Sequence, residues 1–446
     1  MPIQSINLTN FKSIHELNIK IERKSQVVCF VGENGSSKTS LLSLIVDSII
    51  PNQGISFPDY NPKDGKRFRS ISMQEIDVEE SHYTFDLKYI SDPTTEISYN
   101  RAVYKEAKSN NNTNKFNDEN WNNVPLNHFH NEKTLPSLNN AKNYLLNNIF
   151  LFRPSYRYEP DFLEINQLNE NFYFQVSKKK NNLTDYPFPF KVAYSGSDLE
   201  SLLIELFLDT HIGYKDSANA FSWIPKILNK VTNKDYGNFQ ISRHPYRQLW
   251  SSTKGPIISL SQGELDLLVT LTSIVTRQLY IYNENPNIEE KYNNFTEIPG
   301  LVIIDEVDLH LHPKAQENYL KVLTSCFKNI QFLVTTHSPF VVRGLPKDSI
   351  VVQLPSGNII EEDFSLMDID SITSKIFNYD GRFSDEIESD LKIFKELISN
   401  QNKEENLKKL IEIYNKYKKS SSIMNELDTF LSIFSPPNLT KQIMGE

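Results

Sequence analysis

Apolar and polar residues alternate through "IQSINLTNF" and "ELNIKI" near the start of the chain, a period of two that predicts two half-buried β-strands. "QVVCFV" follows as a continuous apolar run, the pattern of a strand covered on both faces. The period then changes. Leu41, Leu42, Leu44, Ile45, Val46, Ile49 and Ile50 predict a helix with little polar surface, and Pro51 marks its end. "SHYTFDLKYI" and "TEISYNRAVY" predict antiparallel strands, whereas residues 106–140 are asparagine-rich with few apolar anchors and read as a long or partly disordered insert. "NNIFLFRP" returns to a buried strand. Residues 161–250 are mixed, with one clear helix from Asp198 to Asp209 behind a capping box of Ser197 and Glu200.

Further along, "GLVIIDE" and "IQFLVTTHS" are buried strands separated by the helical "PKAQENYLKVLTSCF". Buried strand, helix, buried strand predicts a parallel sheet covered on both faces. After about residue 365 the chain reads as helical. Ile387, Leu391, Phe394 and Ile398 share one face, Leu407, Leu410, Ile411 and Tyr414 a second, and Ile423, Leu427, Phe430 and Phe434 a third. The expected class is α/β. A first lobe covers residues 1–160, a helical or mixed insert 161–255, a second lobe 256–360 and a C-terminal helical region 361–446.

Composition narrows the functional classes. With 446 residues the chain can hold two or three domains, and no apolar run is long enough to cross a bilayer. Its start lacks the charged-then-apolar layout of a signal peptide, and Cys29 and Cys326 each sit in an apolar stretch, so a reducing cytoplasm is expected. Net charge is −9, so any nucleic-acid contact needs a local basic patch. Lys178–Lys180 and Lys416–Lys419 are candidates, better read as solvated surface. Glycine is scarce, 14 in all, yet Gly32, Gly35 and Gly263 fall within two short motifs, where backbone must approach something closely.

The first motif is "GENGSSKTS", residues 32–40, between a buried strand and a helix. It matches G-x-x-x-x-G-K-[ST] except that Ser37 stands where the last glycine is expected. Phosphate is gripped there mainly by backbone N–H groups and the helix dipole, and no proline interrupts residues 32–39. Lys38 is suited to β- and γ-phosphates and Thr39 to Mg²⁺. If position 37 needs a left-handed backbone, serine costs about 1–2 kcal/mol there, a handicap and no more.

Three further segments fit the same chemistry. The strand "LVIIDE" carries Asp305 and Glu306 to a sheet's carboxyl edge, where Asp305 can orient a magnesium shell and Glu306 polarise an attacking water. "ISLSQGELDLL" places Ser261, Gln262 and Gly263 just ahead of a long helix, a second anion-binding terminus, and Glu264 follows in the first turn. One loop but two phosphate-binding helix ends suggests a site shared by two copies. "LVTTHSPF" puts His337 at the same sheet edge. His310 and His312 in "DLHLHP" have metal-like spacing but no third ligand in view.

Taken in order, "NGSSKT", "LSQGE", "VIIDE" and "TTHSP" resemble the ATP-binding cassette ATPases over residues 1 to about 345. "IQSINLTNFKSI" and "DEVDLHLHPKAQ" resemble the RecF/SMC-like branch, specifically the prokaryotic OLD/Septu PtuA-related group. The resemblance implies a cassette head binding ATP and Mg²⁺. Gly32 to Ser40, with Glu33, Asn34, Gly35, Ser36, Ser37, Lys38 and Thr39, would form Walker A. Leu260 to Glu264 would be the signature, Asp305 and Glu306 Walker B, Asp308 the D-loop and His337 the switch histidine. Two heads would sandwich two ATP molecules, each Walker A facing the partner copy's signature. Gln74 is the available but poorly placed counterpart of the Q-loop glutamine.

The group's role implies an ATPase subunit of a bacterial antiphage system, controlling a separate effector such as an HNH or Toprim nuclease. Only about a hundred residues follow His337, and the one D-x-D there, Asp368 and Asp370, leads into helices. A RecF-like repair ATPase clamping DNA stays open, as does a nucleotide-stabilised scaffold with little turnover. No membrane partner is expected.

Overall fold

The computed structural model describes residues 3–22, 24–49, 82–92, 95–104, 147–155, 196–243, 248–285, 288, 290–379, 383–399 and 404–444. The asparagine-rich 106–140, Lys178–Lys180 and Gln74 lie outside them.

The alternating start forms strands β1 (Ile3–Phe11) and β2 (Ile14–Lys20), and the apolar run forms β3 (Val27–Val31), which leads through the glycine loop into helix α1 (Lys38–Ile49). Strands β4 (His82–Asp92) and β5 (Thr95–Tyr104) pair antiparallel, as their alternation predicts. Together the four make an antiparallel sheet in the order β2-β1-β4-β5. Ile6 and Leu8 of β1 and Phe85 and Leu87 of β4 face one core with Leu41, Leu42 and Ile45 of α1.

Strand β6 (Ile149–Arg153) is followed by helices α2 (Gly196–Ile212) and α3 (Ser217–Thr232). A small sheet comes next, β7 (Phe239–Ser242), β8 (Gln248–Ser251) and β9 (Gly255–Pro256). The long apolar segment forms α4 (Gln262–Glu284), which buries nearly its whole circumference. Strand β10 (Gly300–Ile304), helix α5 (Pro313–Cys326) and strand β11 (Ile330–Thr335) realise the expected strand–helix–strand unit. Helix α6 (Pro339–Arg343) and strands β12 (Ile350–Gln353) and β13 (Asn358–Ile360) follow.

The second sheet runs β13-β12-β3-β11-β10-β6, parallel except for the β12–β13 pair. The loop-bearing strand β3 is therefore interior, with β11 on one side and β12 on the other. Alternate side chains of these strands enter two cores. Val28 and Phe30 join the core under the antiparallel sheet, while Val27, Cys29 and Val31 join the core built on α2 to α5. This is an α/β fold of a six-stranded, mostly parallel sheet, with the loop-bearing strand interior, and a separate antiparallel sheet.

Two features depart from expectation. The helix from Asp198 to Asp209 extends to Gly196–Ile212, and a second helix, α3, carries Pro225 in its interior. After α7 (Ile369–Phe377), residues Asn378–Glu446 form a compact unit of their own. It contains α8 (Asp385–Ser399), α9 (Glu404–Lys416), α10 (Ser421–Phe434) and α11 (Pro437–Met444). Its core takes Leu391, Phe394, Ile398, Leu410, Tyr414, Ile423 and Leu427 as expected, adds Ile413, Tyr417 and Leu431, and has Ile387, Leu407, Ile411 and Phe430 packed at its margin. Phe434 is largely exposed. The i, i+4, i+8 row of α10 buries better than a row drifting through Phe430, which explains the rotated face.

Candidate nucleotide site

The loop after β3 owes its shape to backbone torsions few residues tolerate. Gly32 has φ +151°, Gly35 +86° and Ser37 +69°. A Cβ on Gly32 would lie 2.2 Å from the Leu354 carbonyl oxygen, so that position admits no side chain. The first bond of α1 runs from the Leu41 N–H to the Ser37 carbonyl at 2.9 Å, and the amides ahead of it belong to the positive end of the helix. Lys38 is buried and folds over the loop, donating to the carbonyls of Gly32 at 2.9 Å and Glu33 at 2.8 Å and to Ser36 Oγ at 3.2 Å. Burial draws its ammonium pKa down, against the pull of Asp305, Glu306 and Asp308.

Ser37 does adopt the left-handed backbone that glycine would supply, and its hydroxyl has a task there. Ser37 Oγ lies 2.8 Å from Ser13 Oγ, in the turn between β1 and β2. Ser13 Oγ donates its own proton to the Gly35 carbonyl at 3.2 Å, so Ser37 is the donor to Ser13. The neighbouring Lys12 Nζ donates to Ser40 Oγ at 2.6 Å. A strain of about 1–2 kcal/mol is thus offset by a hydrogen bond of about 0.5–1.5 kcal/mol. Ser37→Ala, which keeps the strain and loses the bond, is expected to bind a non-hydrolysable ATP analogue about threefold to tenfold more weakly in calorimetry. Ser37→Gly should retain or raise affinity. Equal affinities for the two variants would contradict this balance.

Across the loop stands the acidic edge of β10. Asp305 is fully buried, accepting from Thr39 Oγ1 at 2.8 Å through Oδ2 and from Thr335 Oγ1 at 2.6 Å through Oδ1. Glu306 has φ +49°, a costly torsion that its N–H bond to Thr335 Oγ1 at 2.7 Å helps to hold. Asp308 accepts from Thr336 Oγ1, and its carbonyl accepts from Gln316 Nε2 at 3.1 Å. His337 follows at the exposed rim. Partial burial and the Lys38 cation lower its pKa, which favours a neutral ring at neutral pH.

These groups suit a magnesium–triphosphate. Thr39 and Asp305 place hard oxygens side by side, the donor set Mg²⁺ takes alongside phosphates. Lys38 and the helix start supply positive charge beside them. His312, by contrast, caps α5, its Nδ1 accepting from the Lys314 N–H at 3.3 Å.

The start of α4 is a second polar terminus. Ser261 and Gln262 are exposed and Gly263 is buried. A Cβ on Gly263 would come 2.3 Å from the His310 carbonyl, so helix and acidic-edge loop touch through bare backbone. Glu264 accepts from Ser261 N–H at 2.8 Å and Ser261 Oγ at 2.7 Å, from Lys234 Nζ at 2.8 Å and from the Tyr236 hydroxyl. Burial works against its charge, but Lys234, Tyr236 and Ser261 outweigh it and bring the carboxyl to about 2. Its folded pKa lies below the unfolded one. The stability it contributes is therefore present above the ordinary value of 4.5 and lost as pH falls towards 2. The melting-temperature deficit of Glu264→Gln should accordingly be largest near neutrality and shrink through that acid window. A deficit independent of pH would contradict the assignment.

Gly32 through Ser40, Asp305, Glu306, Asp308 and His337 thus converge at one sheet edge, whereas Ser261 to Glu264 form their own terminus, exposed at Ser261 and Gln262. Ser13, Thr335, Thr336, Lys234 and Tyr236 were not singled out by sequence reading. Each acts through a partner 22 or more residues away, a pairing that local pattern does not carry.

The family described as "AAA domain, putative AbiEii toxin, Type IV TA system" matches residues 256–343. The probable ATPase of retron Ec83 from Escherichia coli is 25% identical over 78% of this chain and 70% of its own length. That of retron Vc95 from Vibrio cholerae serotype O1 biovar El Tor is 39% identical over 28% of this chain. Septu protein PtuA of Bacillus thuringiensis is 26% identical over 34% of this chain and 39% of its own length. The chain is similar to the probable ATPases of these two retrons and to Septu protein PtuA. The matched region spans 23% of the length of the Vibrio cholerae relative. Among the described residues, no helix is long and apolar enough to cross a membrane.

Proposed function

We propose that the chain is a cassette-type ATPase whose sites are completed by a second copy, and that it governs a separate effector in antiphage defence. The observation that carries this reading is the Thr39–Asp305 hydrogen bond, with Lys38, Glu306 and His337 around it. Loop amides and Lys38 would hold the β- and γ-phosphates, and Thr39 and Asp305 would hold Mg²⁺. When bound, that ion would neutralise charge on the phosphate oxygens. Glu306 takes the proton of a water as its oxygen attacks the γ-phosphorus and the bond to the β–γ bridging oxygen breaks, releasing ADP and phosphate. The neutral His337 ring steadies the γ-phosphate or the water. Ser261 and the α4 start of a second copy cap the triphosphate from the other side.

The likeness to the probable ATPases of two retrons and to Septu protein PtuA supports a sensing or regulatory subunit with an HNH or Toprim nuclease as a separate partner. Asp368, half of the D-x-D pair, caps α7, accepting from the Ser371 N–H and Oγ, both at 2.8 Å. That use is structural. The test is phosphate release by the purified chain, with and without magnesium and duplex DNA. Magnesium-dependent release is expected. Absence of release under every condition, together with failure of ATP to bring two copies together, would contradict the reading.

A further inference from the structure

One buried ion pair joins the two polar termini from behind, and the proposed chemistry makes no use of it. Arg153 ends β6 with 1% of its surface exposed, and Asp266 lies on α4 with 8% exposed. The Arg153 guanidinium bonds the Asp266 carboxylate directly, although the two lie 113 residues apart in sequence. Arg153 also belongs to the acidic edge. It pairs with Ile304 in the β10–β6 register, and its carbonyl accepts from the Asp305 N–H at 2.8 Å. Asp305 in turn holds Thr39 of the loop. Asp266 lies one helical turn after Gly263, so the same pair grips the first turns of the helix that displays Ser261.

A continuous path of hydrogen bonds and one ion pair therefore runs from Thr39 through Asp305 and Arg153 to Asp266 and the α4 terminus. We infer that Arg153 and Asp266 are positioning residues that transmit phosphate binding at one chain's loop to the placement of Ser261 and the α4 start offered to the second copy. The inference rests on the composite-site reading above. A buried ion pair adds little net stability over apolar packing of similar volume but in some proteins fixes a single register. Here that register is between the sheet edge that senses phosphate and the helix that reaches the other copy. Gly263 on the His310 carbonyl and Glu264 on Lys234 and Tyr236 hold the same terminus from other sides.

The test uses the full chain carrying Glu306→Gln as parent, with ATP-driven dimerisation read by analytical ultracentrifugation. Fluorescent ATP affinity is read separately, at a dilution where copies stay apart. The double variant Arg153→Met/Asp266→Leu replaces the pair by apolar volume. It should keep a cooperative melt and bind nucleotide within about threefold of the parent, yet need at least about tenfold more ATP or protein to dimerise, the size of an ordinary coupling between sites. Arg153→Lys should recover part of that loss. If the double variant does not fold, Asp266→Asn is judged by the same two readings. Dimerisation matching the parent's overturns the inference and leaves the composite site standing. A parent that never dimerises with ATP overturns the composite site and this inference with it.

Discussion

Glu306→Gln is expected to lower phosphate release by about 10²- to 10⁴-fold, the usual worth of a positioned general base, while ATP stays bound. The amide keeps the shape of the side chain and removes its basicity. The unusual backbone at this position, φ +49°, is held by the bond from its N–H to Thr335 Oγ1 at 2.7 Å, which the substitution leaves intact. The Thr39–Asp305 pair is also untouched. Two copies should then remain joined after ATP is added, because the triphosphate between them is not cleaved. Size-exclusion chromatography with and without ATP, beside a phosphate assay, reads both effects. A variant with wild-type turnover would remove Glu306 from the chemistry.

Lys38→Ala should act one step earlier, on binding. A charge-assisted hydrogen bond contributes about 1.5–3 kcal/mol, so ATP affinity should fall by about 10- to 150-fold. Stability should change little. The lysine's present partners are the carbonyls of Gly32 and Glu33 and Ser36 Oγ, and Gly32 and Glu33 are within reach of solvent. Calorimetric titration with a non-hydrolysable analogue, alongside a thermal melt, separates the two effects. Unchanged affinity would place the phosphates elsewhere.

The parts of this architecture that sequence carried were those with long local periods. Alternation in β1, β2, β4 and β5 and the continuous runs of β3, β10 and β11 all held their places. Strand β12 was not read, because four residues of "IVVQ" carry too short a period, although it flanks the loop-bearing strand. Helix α3 was obscured by Pro225, ordinarily a breaker, which here lies among buried neighbours. The left-handed torsion of Ser37 could be posed only as a condition, since it depends on the distant Ser13. Arg153 and Asp266 had no visible signal at all. Read singly, a charged residue at a strand end and another on a helix look like surface, and only the fold brings them together in the interior.

The central claim is that each pocket needs two copies. Lys38→Ala disables the loop, and Ser261→Arg, which crowds the α4 terminus, disables the opposing face. Each variant alone should release almost no phosphate. Mixed in equal amounts, they should recover up to about a quarter of wild-type release, because a twofold-symmetric heterodimer retains one intact composite site. A mixture no more active than its separate components would show that each chain works with its own residues alone.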